Sequence, residues 1–272
     1  MSRESGLEPA VLVVIPTLGE RAEWLRAAID SVTCQKGRFL LTVRIVAPSS
    51  ANLGPLKESA NQEVLRSDRR GLSAAINDGW SDSSEFDYLA WLGDDDLLAP
   101  GALALCIEAL QRNSRASAAY GSVRYIDQNG KTLWLQRPGP FAGPYFLIGK
   151  NLIPQQGSVF RSAAVRKIGG VDESFRSAMD QDLFARLRSQ GQLLRISEEL
   201  GAFRLHGSNI TVTKGSAGVD EGDLIRRRHF GRLYSIVRPF TKITDRVFYW
   251  IIRHQPAGRP PVQYGRSYTL SS

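Results

Sequence analysis

Cysteine is scarce: the 272 residues hold two, Cys34 and Cys106, and neither has the Cys or His neighbours of a zinc site. That excludes a disulfide framework, and a reducing compartment fits best. Long apolar runs are missing as well. No stretch of 18 or more apolar residues occurs, so no bilayer-spanning helix is expected. The first apolar run, Val11 to Ile15, stops at Pro16, and Met1 to Ala10 carries both charge signs, which does not make a secretory signal. Internal repeats and low-complexity tracts are absent. Acidic charge is in deficit, with 27 Asp plus Glu against 35 Lys plus Arg and a formal net charge of +8. Such a surplus suits a nucleic-acid or membrane-surface partner. Its distribution is uneven, however: residues 214–272 hold 11 basic and 4 acidic side chains, so the body before them is nearly neutral.

What is present is a folding composition, 42% hydrophobic and 23% charged, enough for one large or two modest cores. Val11 to Ile15 reads as a strand buried on both faces. Thr17 and Glu20 have capping-box spacing, and Trp24, Leu25, Ala28, Ile29 and Val32 then share a helical face. Leu40 to Ala47 reads as a strand, Leu72 to Trp80 as a short helix, Tyr88 to Leu92 as a strand, and Pro100 opens a helix to about Arg112. This alternation argues for a parallel sheet with helices on both faces, whose ligands collect beyond the C-terminal strand ends. Three loops meet at that edge: 16–20, 48–52 and 93–96. Further on, a turn at Gln128-Asn129-Gly130 joins Ala119 to Ile126 and Lys131 to Leu135 as a hairpin. A helix near Ser162 to Ile168, a turn at Gly169-Gly170, a helix over Asp180 to Ser189, and strands at Leu193 to Ile196 and Gly201 to Leu205 complete the body.

Gly93-Asp94-Asp95-Asp96 is the sharpest chemical feature. Three carboxylates at a strand end repel one another unless a cation neutralises them, and a hard divalent cation takes such oxygens together with substrate phosphates. The alternative is the favourable placement of acidic residues ahead of the helix that follows. Asp180 and Asp182 flank Gln181 at a helix start, where capping competes with a role as general base. His206 reads either as a structural residue or as a ligand. Gln155 and Gln156 line a pocket or satisfy loop backbone.

These residues resemble a known family. Residues 11–17, Trp24 to Val32, Gly71 to Gly79, Trp91 to Asp96 with Pro100 to Leu103, Ile168 to Phe175, Met179 to Leu187 and Phe203 to His206 look, in order, like motifs of the family 2 glycosyltransferases. The resemblance implies a GT-A fold, an α/β Rossmann-like mixed sheet flanked by helices, with a helical, basic C-terminal extension. It divides the chain into a tail (1–10), a domain (11–213, with a nucleotide-sugar half to 97 and an acceptor half from 98) and the extension (214–272). It further implies a nucleotide-sugar donor and a glycan or lipid-linked acceptor in surface polysaccharide assembly. Pro16, Thr17, Arg70, Asn77 and Asp94 would meet the nucleotide. Asp95, Asp96 and His206 would hold Mn²⁺ or Mg²⁺, and Asp180 would be the base of an inverting transfer. Departures are Pro48-Ser49-Ser50 where a carboxylate contact to a uracil-type base is common, Gly93 at the first Asp of the Asp-x-Asp spacing, Met179 before the base and Gln155 where His is common.

The extension reads as two amphipathic helices within residues 220–253, split near Pro239. Phe230, Leu233, Tyr234 and Val237 form one apolar face, and Ile243, Val247, Trp250 and Ile251 the other. Peripheral membrane contact competes here with packing on the domain and with an acidic partner. No nucleic-acid partner is expected. The expected location is the cytoplasm, at the inner membrane face where lipid-linked acceptors are met. A nucleotidyltransferase, or a non-catalytic module binding nucleotide or nucleic acid, is the rival reading.

Overall fold

Strand β1 (Ala10–Pro16) is buried along its whole length because both of its faces are covered. Alternate side chains go to opposite cores, as the two-residue period of a strand requires. Val11, Val13 and Ile15 meet helices α1 (Ala22–Thr33) and α3 (Ala102–Arg112). Leu12 and Val14 meet α2 (Leu72–Trp80) and the core around α5 (Met179–Arg188). The computed structural model describes residues 8–56, 60–139, 142, 153–207, 209, 215–235, 263–264 and 268–269.

Around β1 the sheet is parallel: β2 (Leu40–Ala47) lies on one side with β3 (Gln62–Arg66) beyond it, and β4 (Tyr88–Trp91) lies on the other. Past β4 it becomes mixed. The strand order is β3-β2-β1-β4-β8-β6-β9-β5, with β5 at Leu97–Leu98, β6 at Ala116–Ile126, β8 at Val159–Arg161 and β9 at Gln192–Arg204. Strand β8 runs antiparallel to β4 and β6, while β9 runs parallel to β6. The wholly parallel arrangement drawn from strand–helix alternation thus holds for the first half, and the mixed sheet implied by the family resemblance describes the whole. Strand β7 (Thr132–Gln136) pairs with β6 as the expected hairpin, and Gly130 takes the positive φ that its turn needs. The halves drawn at residue 97 share one sheet, and that division falls inside β5.

Two local expectations change. The capping box does not form: α1 starts at Ala22 without a side-chain cap, and the Thr17 hydroxyl donates instead to Asp94 Oδ2 at 2.5 Å. The two short strands expected at 193–196 and 201–205 are one strand, β9. The acidic stretch Ser197-Glu198-Glu199 interrupts the apolar pattern, yet Arg124 binds Glu199 through two hydrogen bonds of 2.8 and 2.5 Å, and both side chains are buried. That pairing lets the charges stay in a strand whose register against β6 slips between Tyr120 and Val123.

Helix α4 (Ser162–Lys167) leads into Gly169 and Gly170, both at positive φ. A Cβ on Gly170 would lie 2.6 Å from the Asn77 amide oxygen, so glycine permits that contact. The first helix of the extension, α6 (Gly215–Phe230), packs on α5 and contributes Ile225 to the core. Up to residue 235 the extension is therefore part of the body, with Tyr234 buried and Leu233 exposed. The second amphipathic helix expected in this tail, over residues 242–253, lies outside the described residues.

Candidate active site

The three carboxylates follow β4 in a tight turn. A Cβ on Gly93 would lie 2.7 Å from Asp95 Oδ1 and 3.1 Å from Asp96 Oδ2, so a larger residue would displace the carboxylates that fold back over it. Each Asp is satisfied differently. Asp94 accepts the Thr17 hydroxyl; burial pushes its carboxyl above the ordinary value while that hydrogen bond pulls the other way. Asp95 Oδ2 lies 2.7 Å from Arg21 Nη1 and 2.8 Å from His206 Nε2. Asp96 is fully enclosed and accepts the Arg204 backbone N–H at 3.0 Å and the Gln156 side-chain amide at 3.1 Å. Burial, reinforced by the Asp95 charge, pushes the Asp96 carboxyl well above its usual range.

Beneath this turn Arg204 is buried and donates to the carbonyls of Asp95, Asp127 and Gln128, which ties β9 to the acidic loop. His206 is oriented by Asn209, which accepts its backbone N–H at 2.6 Å, and its ring lies 4.9 Å from that of Trp24.

A cavity of about 460 Å³ opens at the carboxylates and is lined by Thr17, Arg21 and Asp95 and also by Ser177, Met179 and Asp180. Pro16, Asp94 and Asp96 line it too. Asp180 sits half-buried in the first turn of α5. The cap of that helix end is supplied from elsewhere: the Glu221 carboxylate of α6 accepts the backbone N–H groups of Arg176, Ser177 and Ala178 at 3.0, 2.8 and 2.8 Å. A carboxylate at a helix N-terminus satisfies exposed donors and complements the helix dipole. The Ser177 hydroxyl is buried without a hydrogen-bond partner among the described residues, a polar group left over beside the cavity.

The other residues named from sequence are placed differently. Arg70 is exposed and is not among the lining residues; its neighbour Arg69 is, held by Asp78 and Glu173 at 2.6 and 2.5 Å. Asn77 does not line the cavity. It clamps the loop before α5, donating to Val171 O and Glu173 and accepting the Val171 N–H. Gln155 and Gln156 do line the cavity, and Gln155 also donates to Trp91 O at 2.6 Å, so both expected roles are met. Beside the Pro48-Ser49-Ser50 loop, which lacks its own carboxylate, Asp68 accepts the Ser49 N–H and hydroxyl.

Sequence reasoning missed Arg21 and Glu221. For Arg21 a signal exists, since three carboxylates demand a cation and Arg21 is the basic residue nearest Thr17 in the first loop. For Glu221 none does, because its partners are backbone groups 43 to 45 positions away.

Fit to a divalent cation can be tested on these contacts. No group of three or more His, Cys, Asp or Glu side chains suited to a metal occurs among the described residues. Asp96 is spent on Arg204 and Gln156, and Asp95 Oδ2 is shared between Arg21 and His206, so a cation held by Asp95 and His206 would have to displace those contacts. A carboxylate completed by substrate phosphates suits Mn²⁺ or Mg²⁺, whereas an imidazole suits softer metals and fits Mg²⁺ poorly.

The profile described as glycosyl transferase family 2 matches residues 12–169. An uncharacterized glycosyltransferase of Rickettsia bellii is 27% identical over 216 residues, 78% of this chain and 31% of the relative. The chondroitin synthase of Escherichia coli is 24% identical over 186 residues, 68% of this chain and 26% of the relative. The chain thus spans about a third or less of these two relatives. Among solved structures, S. aureus TarS 1-349 in complex with UDP-GlcNAc superposes with a TM-score of 0.56 at 12% identity, covering 83% of this chain and 73% of that one. At that identity the likeness shows the fold.

Proposed function

Since the chain belongs to the family 2 glycosyltransferases, we propose that it moves a sugar from a nucleotide-sugar to a glycan or lipid-linked acceptor, inverting the anomeric centre, in the assembly of a surface polysaccharide. The observation that carries this reading is the shared lining of one cavity: Asp94, Asp95 and Asp96 with Arg21 at the end of β4, and the half-buried carboxylate of Asp180. The UDP-GlcNAc bound by the S. aureus TarS structure supports a nucleotide-sugar as donor.

In this mechanism Pro16, Thr17 and Asp94 bound the donor's nucleotide end. Arg21, already beside the carboxylates, offers its guanidinium to the diphosphate, and bidentate charge-assisted bonds make it a strong clamp. Asp95 and His206 would hold Mn²⁺ or Mg²⁺, whose chemistry there is to neutralise charge on the leaving diphosphate. Asp180 takes the proton from the acceptor hydroxyl as that oxygen attacks from the face opposite the leaving group. Glu221 takes the backbone N–H groups of residues 176–178 ahead of the helix, while Asp180 Oδ1 accepts the Gln181 N–H at 2.8 Å, and Oδ2 is the oxygen that takes the proton in this scheme. Asp96, its oxygens engaged, holds the turn in shape. The membrane contact proposed through residues 220–253 competes at its start with packing, since α6 lies on α5 and buries Ile225. Among the described residues no helix is long and apolar enough to cross a membrane.

Two measurements test the proposal together. A panel of UDP-, GDP-, TDP- and CMP-sugars with and without Mn²⁺ should raise the melting temperature for one donor class, because a ligand bound only by the folded state stabilises it. Asp180→Asn should then lower transfer by about 10²–10⁴-fold with donor affinity kept within a few fold. A fully active Asp180→Asn protein would remove the base from this scheme. A donor-dependent release of pyrophosphate in place of nucleotide diphosphate would favour a nucleotidyltransferase.

A further inference from the structure

A second cavity, of about 820 Å³, lies at the other end of α5. Helix α5 begins at the catalytic cavity with Met179 and Asp180 and ends with Arg188, about 15 Å away at 1.5 Å per residue. Strands β6 and β9 run parallel, so their first residues, Ala116 to Tyr120 and Gln192 to Arg195, lie at the sheet edge opposite the carboxylates.

The lining of this cavity is one-signed. Arg115, Arg188 and Arg195 contribute to it, none of the lining residues is acidic, and none of the three guanidiniums has a carboxylate partner among the described residues. All three side chains are exposed, so solvent screens their mutual repulsion, and an anion seated among them would relieve what remains. At its floor is Tyr120, only 1% exposed, whose hydroxyl has no hydrogen-bond partner among the described residues. The ring is buried while the hydroxyl opens to the recess, where it can donate to an anion or to water.

The placement of these groups follows from the fold. Tyr120 and Arg195 are register partners on adjacent parallel strands and so share a face of the sheet. Phe184 lies against Tyr120 with ring centroids 6.5 Å apart, and Arg188 follows Phe184 by one helical turn, above the phenol. Gly191 brings the remaining wall close: a Cβ there would lie 2.4 Å from the Arg115 carbonyl oxygen. Burial pushes the Tyr120 phenol up while Arg195 and Arg188 pull it down, so at neutral pH it stays an O–H donor. The helix C-terminus favours Arg188 by itself, but that does not account for Arg115, Arg195 or the phenol.

We propose that Arg115, Arg188, Arg195 and Tyr120 form a second, non-catalytic site for a phosphate group, with the guanidiniums as bidentate donors and the phenol donating from the floor. The phosphate comes either from a free phosphorylated compound or from the headgroup of an anionic lipid; the chemistry recognised is the same. This site is independent of the transferase reading and stands or falls without it.

The test is calorimetric titration of the full chain with inorganic phosphate, with Arg188→Gln/Arg195→Gln, Tyr120→Phe and Arg21→Gln proteins in parallel. Saturable binding should occur at one site per chain, weaken tenfold or more in the double variant and several fold in Tyr120→Phe, and persist in Arg21→Gln. Three results overturn the proposal: no saturable binding, binding unchanged in Tyr120→Phe (general surface attraction only), or loss in Arg21→Gln alone (phosphate seated in the catalytic cavity). Tyr120→Phe keeps the ring and its packing, so its result does not depend on refolding. Flotation with phosphatidylglycerol and phosphatidylcholine vesicles separates the sources. Capture on the anionic vesicles that the double variant abolishes assigns lipid headgroups; phosphate binding without capture assigns a soluble compound.

Discussion

The two ends of α5 present opposite chemistry, and they differ more in how their charges are satisfied than in sign. At the N-terminal end every carboxylate of the acidic turn already has a partner inside the protein: Thr17 for Asp94, Arg21 and His206 for Asp95, Arg204 and Gln156 for Asp96. At the C-terminal end three guanidiniums share a recess without an acidic group. Between them runs a row of rings, Trp91, Phe160, Phe184 and Tyr120, with neighbouring centroids 5.4, 5.6 and 6.5 Å apart. A preset polar site exchanges internal partners for its ligand and loses little when empty, whereas an exposed one-signed recess leaves its charges to solvent until an anion enters. The first arrangement is what a reacting site needs, because its dipoles must be in place before charge develops.

The sharpest way to break this comparison is at the carboxylate end. Asp95→Asn keeps the shape and an oxygen acceptor for Arg21 but removes the charge that Mn²⁺ or Mg²⁺ requires. We expect transfer to fall by at least about a hundredfold, and the metal-dependent part of the donor's thermal shift to disappear while any metal-independent part persists. An Asp95→Asn protein whose donor shift still depends on Mn²⁺ would move the cation elsewhere.

That end of the helix was also where the sequence was most legible. Val11 to Ile15, Leu40 to Ala47 and Leu72 to Trp80 could be read because burial on two faces or on one stripe leaves a periodic trace, and the acidic turn stood out because adjacent like charges are rare without a cause. Strand β3 left no such trace: it is a largely exposed edge strand. The capping box misled because Thr17 had two possible partners, a nearby backbone N–H and an Asp 77 positions away, and a single sequence carries no information on the second. Asn77 was misread for the same reason, its three bonds all going to the loop at 171–173. Arg204 shows the converse, a guanidinium that is buried because three carbonyl oxygens became available to it only once β9 folded beside the acidic loop.

A smaller effect should come from the cap of α5. Glu221→Gln retains one acceptor oxygen but loses the charge that holds three backbone N–H groups at the entry to the helix. Because Asp180 lies two residues beyond that segment, we expect a tenfold or so fall in kcat, with the donor KM unchanged and Glu221→Asp restoring part of the rate. Equal losses in kcat and in melting temperature, with no partial recovery in Glu221→Asp, would reduce Glu221 to a purely structural cap. In either case α6 belongs to the catalytic body, although it lies beyond the segment, residues 12–169, that the family profile matches.

The smallest effect concerns the surface pair that helps to seat α6. Arg228 Nη1 lies 2.8 Å from Asp172 Oδ2, and its guanidinium stands 4.9 Å from the centroid of the Phe175 ring. Burial pushes the Asp172 carboxyl up, but the Ser174 hydrogen bonds and the Arg228 charge together outweigh it and hold the carboxyl below its ordinary value. A depressed carboxylate contributes stability above its unfolded value and loses it as pH falls through the folded one. The pair is partly exposed and screened by salt, so it is worth about 0.5 kcal/mol, with a similar amount from the cation–ring contact. Arg228→Gln should therefore lower the melting temperature by about 2–4 °C at pH 7, and the difference should shrink towards the cation–ring share as pH drops below the usual carboxylate range. Added salt should shrink it in the same direction. A difference that stays constant with pH and salt would assign the whole effect to packing against Phe175, and α6 would then be held by its apolar contacts and by Glu221 without help from surface charge.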